Sequence, residues 1–142
     1  MQEDVTKHLE FVQAVVARMA GNSFLLKGWT VTLTAAICAL AAKDANQNFV
    51  LIALIPAVAF WGLDAYYLRQ ERLFRKLYDA LRRSNKEQLQ TVAPFSMDTC
   101  QFEGDEDIGT VWWTMGRAAV AWLHGSVIAA IVLVFAILYQ TH

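Results

Sequence analysis

Residues 25–33 read Leu-Leu-Lys-Gly-Trp-Thr-Val-Thr-Leu, and the apolar run they open continues to Ala42. A run of that length can cross a bilayer core of roughly 30 Å, which takes about 20 apolar residues. Lys27 interrupts it. A charge in hydrocarbon costs roughly 2.5–3.5 kcal/mol on insertion scales, less near the membrane edge. The residue therefore needs a partner, a route to the headgroups, or a function.

Two more runs have the same character. Phe49 to Leu68 is broken only by Pro56 and Asp64, and Ala118 to Tyr139 has His124 and Ser126 as its polar members. The spans are taken as 24–42, 49–68 and 118–139. Hydrophobic residues make up 56% of the 142-residue chain and charged residues 18%. The first lies above and the second below the usual globular range. A soluble bundle of this size has too little polar surface to cover three such helices. The sequence predicts an all-α integral membrane protein, folded as one domain.

Charge placement sets the expected orientation. Seven of the twelve Lys and Arg fall between Arg69 and Lys86, and the loop joining spans one and two has only Lys43. The bias of Lys and Arg toward the cytoplasm puts the second connection inside, with the N-terminus inside and the C-terminus outside. Trp29, Trp61, Tyr66, Tyr67, Trp112 and Trp113 then fall near the cytoplasmic interface, where aromatic belts sit. The expected location is a bacterial inner membrane, crossed several times, with lipids as immediate partners. The stretch MQEDVTKHLEFVQ has acids where a signal peptide carries bases. The net charge of −1 gives no ground for a nucleic-acid partner.

Residues 3–21 carry Val5, Leu9, Val12, Val15 or Val16, and Met19 on one stripe. This predicts an amphipathic helix. Residues 69–90 repeat the pattern with Leu73 or Phe74, Leu77 and Leu81, and continue from span two without a breaker. The two helices are expected to pack as a cytoplasmic collar, with a surface-lying arrangement as the alternative. Residues 91–115 lack helical periodicity and are expected to form an acidic loop. Their knot Glu103-Gly104-Asp105-Glu106-Asp107 lacks the ligand spacing of a calcium loop. It reads as solvated, or as an electrostatic partner of the basic helix.

Antiparallel spans bring Lys27 and Asp64 to similar depth, so an intramembrane Lys27–Asp64 pair is one answer to the opening question. Lys27 snorkelling alone is the other. Lys27, Thr30 and Thr34 share a face of span one; with His124 and Ser126 they are candidate pore-lining residues. Membrane threonines also bond back to their own helix. Arg72, Arg75, Lys76, Arg82 and Arg83 are candidates for cytoplasmic sensing of an anion such as a nucleotide, or for contact with anionic lipid. Gly28, Thr32 and Ala36 in span one, and Ala121 and Gly125 in span three, form small ridges that let helices approach closely in lipid, and Ala53 and Ala57 add a short piece in span two. They predict helix packing within or between copies.

No motif for a metal, a cofactor or a nucleophile occurs. Cys38 and Cys100 have no ligand neighbours at short spacing. The chain therefore reads as a non-enzyme without cofactor. Bacterial diacylglycerol kinase has the same layout, but its kind of site needs several carboxylates and an asparagine at the span edge, and here those acids reduce to Asp64.

The stretch from Arg18 to Trp29, then the hairpin and Asp64 to Arg75, resembles small, poorly characterised bacterial membrane proteins. Over residues 1–90 the layout of leading helix, two-span hairpin and cytoplasmic helix is similar to SLATT-type membrane effectors of antiphage systems. That resemblance implies a homo-oligomer that permeabilises the inner membrane on a cytoplasmic cue. The alternative is a non-conducting anchor that recruits a soluble partner through its cytoplasmic helices.

Overall fold

A computed structural model describes residues 2–43, 47–83 and 95–140. The described residues form helices and loops, with no strand among them. Helix α1 runs Gln2–Lys43, α2 Gln47–Ile52, α3 Leu54–Arg83, α4 Val111–Met115 and α5 Ala118–Gln140. A 3-10 turn at Cys100–Phe102 lies between α3 and α4. Residues 44–46 of the expected hairpin loop, 84–90 of the expected basic helix, and 91–94 of the expected acidic loop lie outside the described residues.

Three helical stretches are long and apolar enough to cross a membrane, one each in α1, α2 with α3, and α5. At most 28% of any apolar window is buried by the rest of the protein. Phe24, Ile55 and Trp122 stand 76%, 70% and 80% exposed. So much exposed apolar surface calls for an apolar surrounding.

The boundaries differ from expectation at three places. The expected helix 3–21 and span 24–42 are one helix of 42 residues, about 60 Å long at the usual helical rise. Gly21-Asn22-Ser23 would suit a helix end on local propensity. Ser23 is instead buried, with its hydroxyl engaged by a neighbouring helix, so tertiary contact overrides propensity. The second difference is in span two, which breaks at Ala53. Pro56 has no N–H for the carbonyl of Ile52 and its ring crowds that carbonyl. The chain answers with a tighter turn, Ala53 N–H bonding Val50 at 3.0 Å. Third, residues 111–115, expected within a loop, form α4. Thr110 caps it by accepting from the Trp113 N–H at 3.2 Å.

Beyond the apolar stretches, α1 and α3 continue side by side as the expected collar pair. Val12, Leu77 and Leu81 are buried together, with Leu9, Phe74, Tyr78, Met97 and Phe102 against them. At the opposite end Ala41, Val50, Ala53, Ala57 and Ile131 make a second core, with Ile37 and Cys38 against it. Between these two apolar cores lies the polar site.

Candidate functional site: a buried polar latch joining three helices

Asp64 is fully buried in the middle of the bundle. A carboxylate there must have its lone pairs filled. Three donors do this. Lys27 Nζ lies 2.6 Å from Oδ1. The Ser23 hydroxyl, one turn earlier on α1, donates to the same oxygen. His124 Nε2 donates to Oδ2 at 3.0 Å from α5. Lys27 also donates to Ser23 at 2.8 Å, closing a ring on the α1 side. One carboxylate on α3 thus ties α1 to α5.

The spacing on α1 makes this possible. Ser23, Lys27, Thr30 and Thr34 recur at four, three and four residues, which keeps them on one helix face. Ser23, Thr30 and Thr34 are buried, and Lys27 is half-buried with its amine turned inward. Trp61, one turn before Asp64, lies parallel over the His124 ring, with centroids 6.1 Å apart. Its indole N–H reaches the carbonyl of Met115 at 3.2 Å, so the ring is held at both ends. The Nδ1 of His124 and the hydroxyl of Thr34 are buried without a hydrogen-bond partner.

The structure thus brings Lys27 and Asp64 together and adds His124 to them. Thr30 belongs to the same face, but its hydroxyl bonds the carbonyl of Leu26 at 2.7 Å. Ser126 does not join. It is exposed, and bonds the carbonyl of Leu123 at 2.7 Å. Lys27, Thr30, Thr34 and His124 line the inside of a single protomer, and the polar face ends against the second apolar core. Ser23 is the member not expected from sequence. Its signal there is its place one turn before Lys27.

The collar basic residues have separate environments. Arg75 pairs with Glu71 at 2.7 Å, and Arg82 lies 4.0 Å from Asp79. Arg83 is exposed. Lys76 reaches Asp105 at 2.5 Å and Asp107 at 3.5 Å. The Lys76 ammonium bonded to Asp105 holds that carboxyl below the usual range, and the carboxylates push the amine up in return. The acidic knot therefore meets the basic helix of its own chain. Asp98 and Asp105 also fold the loop locally, accepting the N–H of Cys100 and Asp107 at 2.9 and 3.2 Å.

A stripe of α3 anchors the segment between the acidic knot and α5. Trp61, Arg69 and Lys76 hold Met115, Gly109 and Asp105 in turn, so residues 105–117 lie along that helix. Gly109 has φ +62, and a Cβ there would come within 2.6 Å of the Trp113 ring. Glycine is required at that turn on both counts. At the other edge of the collar, an open cleft of about 440 Å³ is lined by Gln13, Val16, Ala17, Ala20, Arg75, Tyr78 and Asp79.

The small-residue ridges divide. Ala53 and Ala57 are used inside the protomer. Ala121 and Gly125 are half-buried. Gly28, Thr32 and Ala36 are exposed, and nothing lies within 4 Å of where a Cβ of Gly28 would be.

No protein family, curated protein or solved structure matches the chain. Fold and site together define a class: an all-helical protein with three helices able to cross a membrane, locked together by a buried Lys–Asp–His cluster.

Proposed function

We propose that this chain is a homo-oligomeric protein of a bacterial inner membrane that forms or gates a pore, with its collar and N-terminus in the cytoplasm and its C-terminus outside. The carrying observation is mechanical. The two helices that hold Lys27 and Asp64 run without a break into the collar. A ligand or partner that shifts the collar helices therefore acts directly on the latch. In the closed latch the polar face of α1 is turned inward. Separating α1 from α3 would give Lys27, Thr30, Thr34 and His124 to water, and would leave Asp64 without its ion pair. The trigger would compete for Arg72, Arg75, Lys76, Arg82 or Arg83, of which Arg75, Lys76 and Arg82 face intrachain acids at rest. The resemblance to SLATT-type effectors supplies the setting, a membrane-disrupting effector of antiphage defence.

The test is membrane potential in cells expressing the protein, read with a potential-sensitive dye. Lys27→Met is expected to depolarise cells without a trigger, while the unsubstituted protein leaves them polarised. Polarised cells at matched membrane levels of Lys27→Met would end the pore reading.

A second reading has its own observation. The polar face stops at an apolar core, and the collar carries an open cleft. Both fit a non-conducting anchor that binds a soluble partner on its cytoplasmic helices. It predicts unchanged potential for every latch variant.

A further inference from the structure

Arg72 and Arg117 stand apart from the other cations of the collar. Arg72 lies between Arg69 and Lys76 on the stripe of α3 that faces residues 105–117. Both of those neighbours are engaged, Arg69 by the carbonyl of Gly109 and Lys76 by Asp105 and Asp107. The adjacent acid in the chain, Glu71, is taken by Arg75. Arg72 Nη1 is buried and has no hydrogen-bond partner. A buried guanidinium N–H without an acceptor is costly, and marks a place where an acceptor belongs. Arg117 lies over the Trp113 ring, its guanidinium carbon 4.6 Å from the centroid, which fixes its direction. Contacts place the two cations in one neighbourhood: the Trp113 ring beneath Arg117 lies against Gly109, whose carbonyl takes Arg69, one turn before Arg72 on α3. Burial and then the charge of Arg117 lower the proton affinity of Arg72, against the opposing charge of Glu71.

Two neighbouring guanidiniums and an orphan N–H describe an anion site. We infer that Arg72 and Arg117 bind one phosphate group, supplied by an acidic phospholipid headgroup. Guanidinium forks match phosphate oxygens with paired N–H···O bonds. Position identifies the source. Arg117 immediately precedes α5, and Arg72 lies one turn beyond Leu68, the last residue of the apolar run of span two. Trp112, next in the chain to the Trp113 that carries Arg117, is 81% exposed, as an interfacial ring would be. Basic pockets between helix ends on the cytoplasmic side hold anionic headgroups in this way. The inference rests on the three-span reading and not on conduction.

The test uses the full chain in nanodiscs of phosphatidylcholine carrying a small fraction of phosphatidylglycerol, with bound lipid measured by native mass spectrometry. The unsubstituted protein is expected to retain phosphatidylglycerol over phosphatidylcholine, and Arg117→Gln to lose at least about tenfold of that preference. Arg117→Lys keeps the charge and is expected to keep part of it. Arg18→Gln, at an exposed cation of α1 outside the candidate set, is expected to change nothing. Equal retention by Arg72→Gln, Arg117→Gln and the unsubstituted protein would overturn the site. Displacement of the lipid by millimolar inorganic phosphate would overturn the lipid as the source. Failure of the chain to enter nanodiscs at all would instead remove the membrane reading beneath it.

Discussion

Asp64 is the residue on which the bundle turns. Its two oxygens take donors from α1 and α5, so deleting it removes every polar tie between those helices and α3 at that depth. The expected energetics are asymmetric. Removing Lys27 alone leaves a carboxylate buried without its cation, a loss of roughly 3–5 kcal/mol for a buried pair. Removing both charges takes away the desolvation cost along with the attraction, and is close to neutral when the replacements pack. Lys27→Met should therefore unfold well below the unsubstituted protein in a thermal melt in detergent, and Lys27→Met with Asp64→Leu should recover only part of the loss, because the buried Ser23 hydroxyl and His124 Nε2 lose their acceptor. Equal destabilisation by the single and the double variant would show that the pair carries no coupling. The pair is legible in the sequence because two charges in apolar runs at matching depth have few other partners. Ser23 is not, because a serine just before an apolar run more often caps a helix than completes a carboxylate shell.

At the scale of elements, the contact between α3 and the acidic knot has a pH signature with two limbs. Asp105 is held below the usual carboxylate range by Lys76, so its contribution is present at neutral pH and fades as pH falls through that lowered value. Lys76 is pushed up by Asp105 and Asp107, so its contribution is complete below the ordinary lysine range and fades as pH rises through the raised value. Hydrogen exchange of the Ile108 and Gly109 amides, which bond back to Asp105, reports the docking directly. Their protection is expected to be greatest between the two limbs. Lys76→Met should remove the alkaline limb and weaken the acid one, which Asp105 keeps in part through the N–H of Asp107. An alkaline limb that survives Lys76→Met would assign it to another cation. The elements themselves are legible where apolar periodicity is long, as in the two collar helices. They are hard to read where a short piece depends on a cap or a proline. Thr110 starts α4 and Pro56 breaks span two, and neither effect extends beyond one turn. The continuity of α1 through Gly21-Asn22-Ser23 depends on α3 and is not written in α1 alone.

For the molecule as a whole, the division of the small residues would decide how copies of the proposed oligomer meet. The ridge of span two is consumed inside the protomer, at Ala53 and Ala57. The ridge of span one, Gly28, Thr32 and Ala36, points outward, and the Thr32 hydroxyl is satisfied by the carbonyl of Gly28 at 2.9 Å. An outward ridge with no unmet hydrogen bond can lie against lipid or against another backbone at close range. The proposed oligomer requires the second. In a variant lacking Cys38 and Cys100, Ala36→Cys should form a disulfide-linked dimer on mild oxidation in membranes. Ile55→Cys, at an exposed position on α3, should not. Replacing Thr32 with leucine would widen the closest approach of two copies by a side chain, and is expected to shift the particle toward monomer on size-exclusion chromatography. A monomer for the unsubstituted protein, with no link through position 36, would leave the latch intact but deny it a pore to gate. The cleft beside Arg75 and Tyr78 would then become the place to look for a partner.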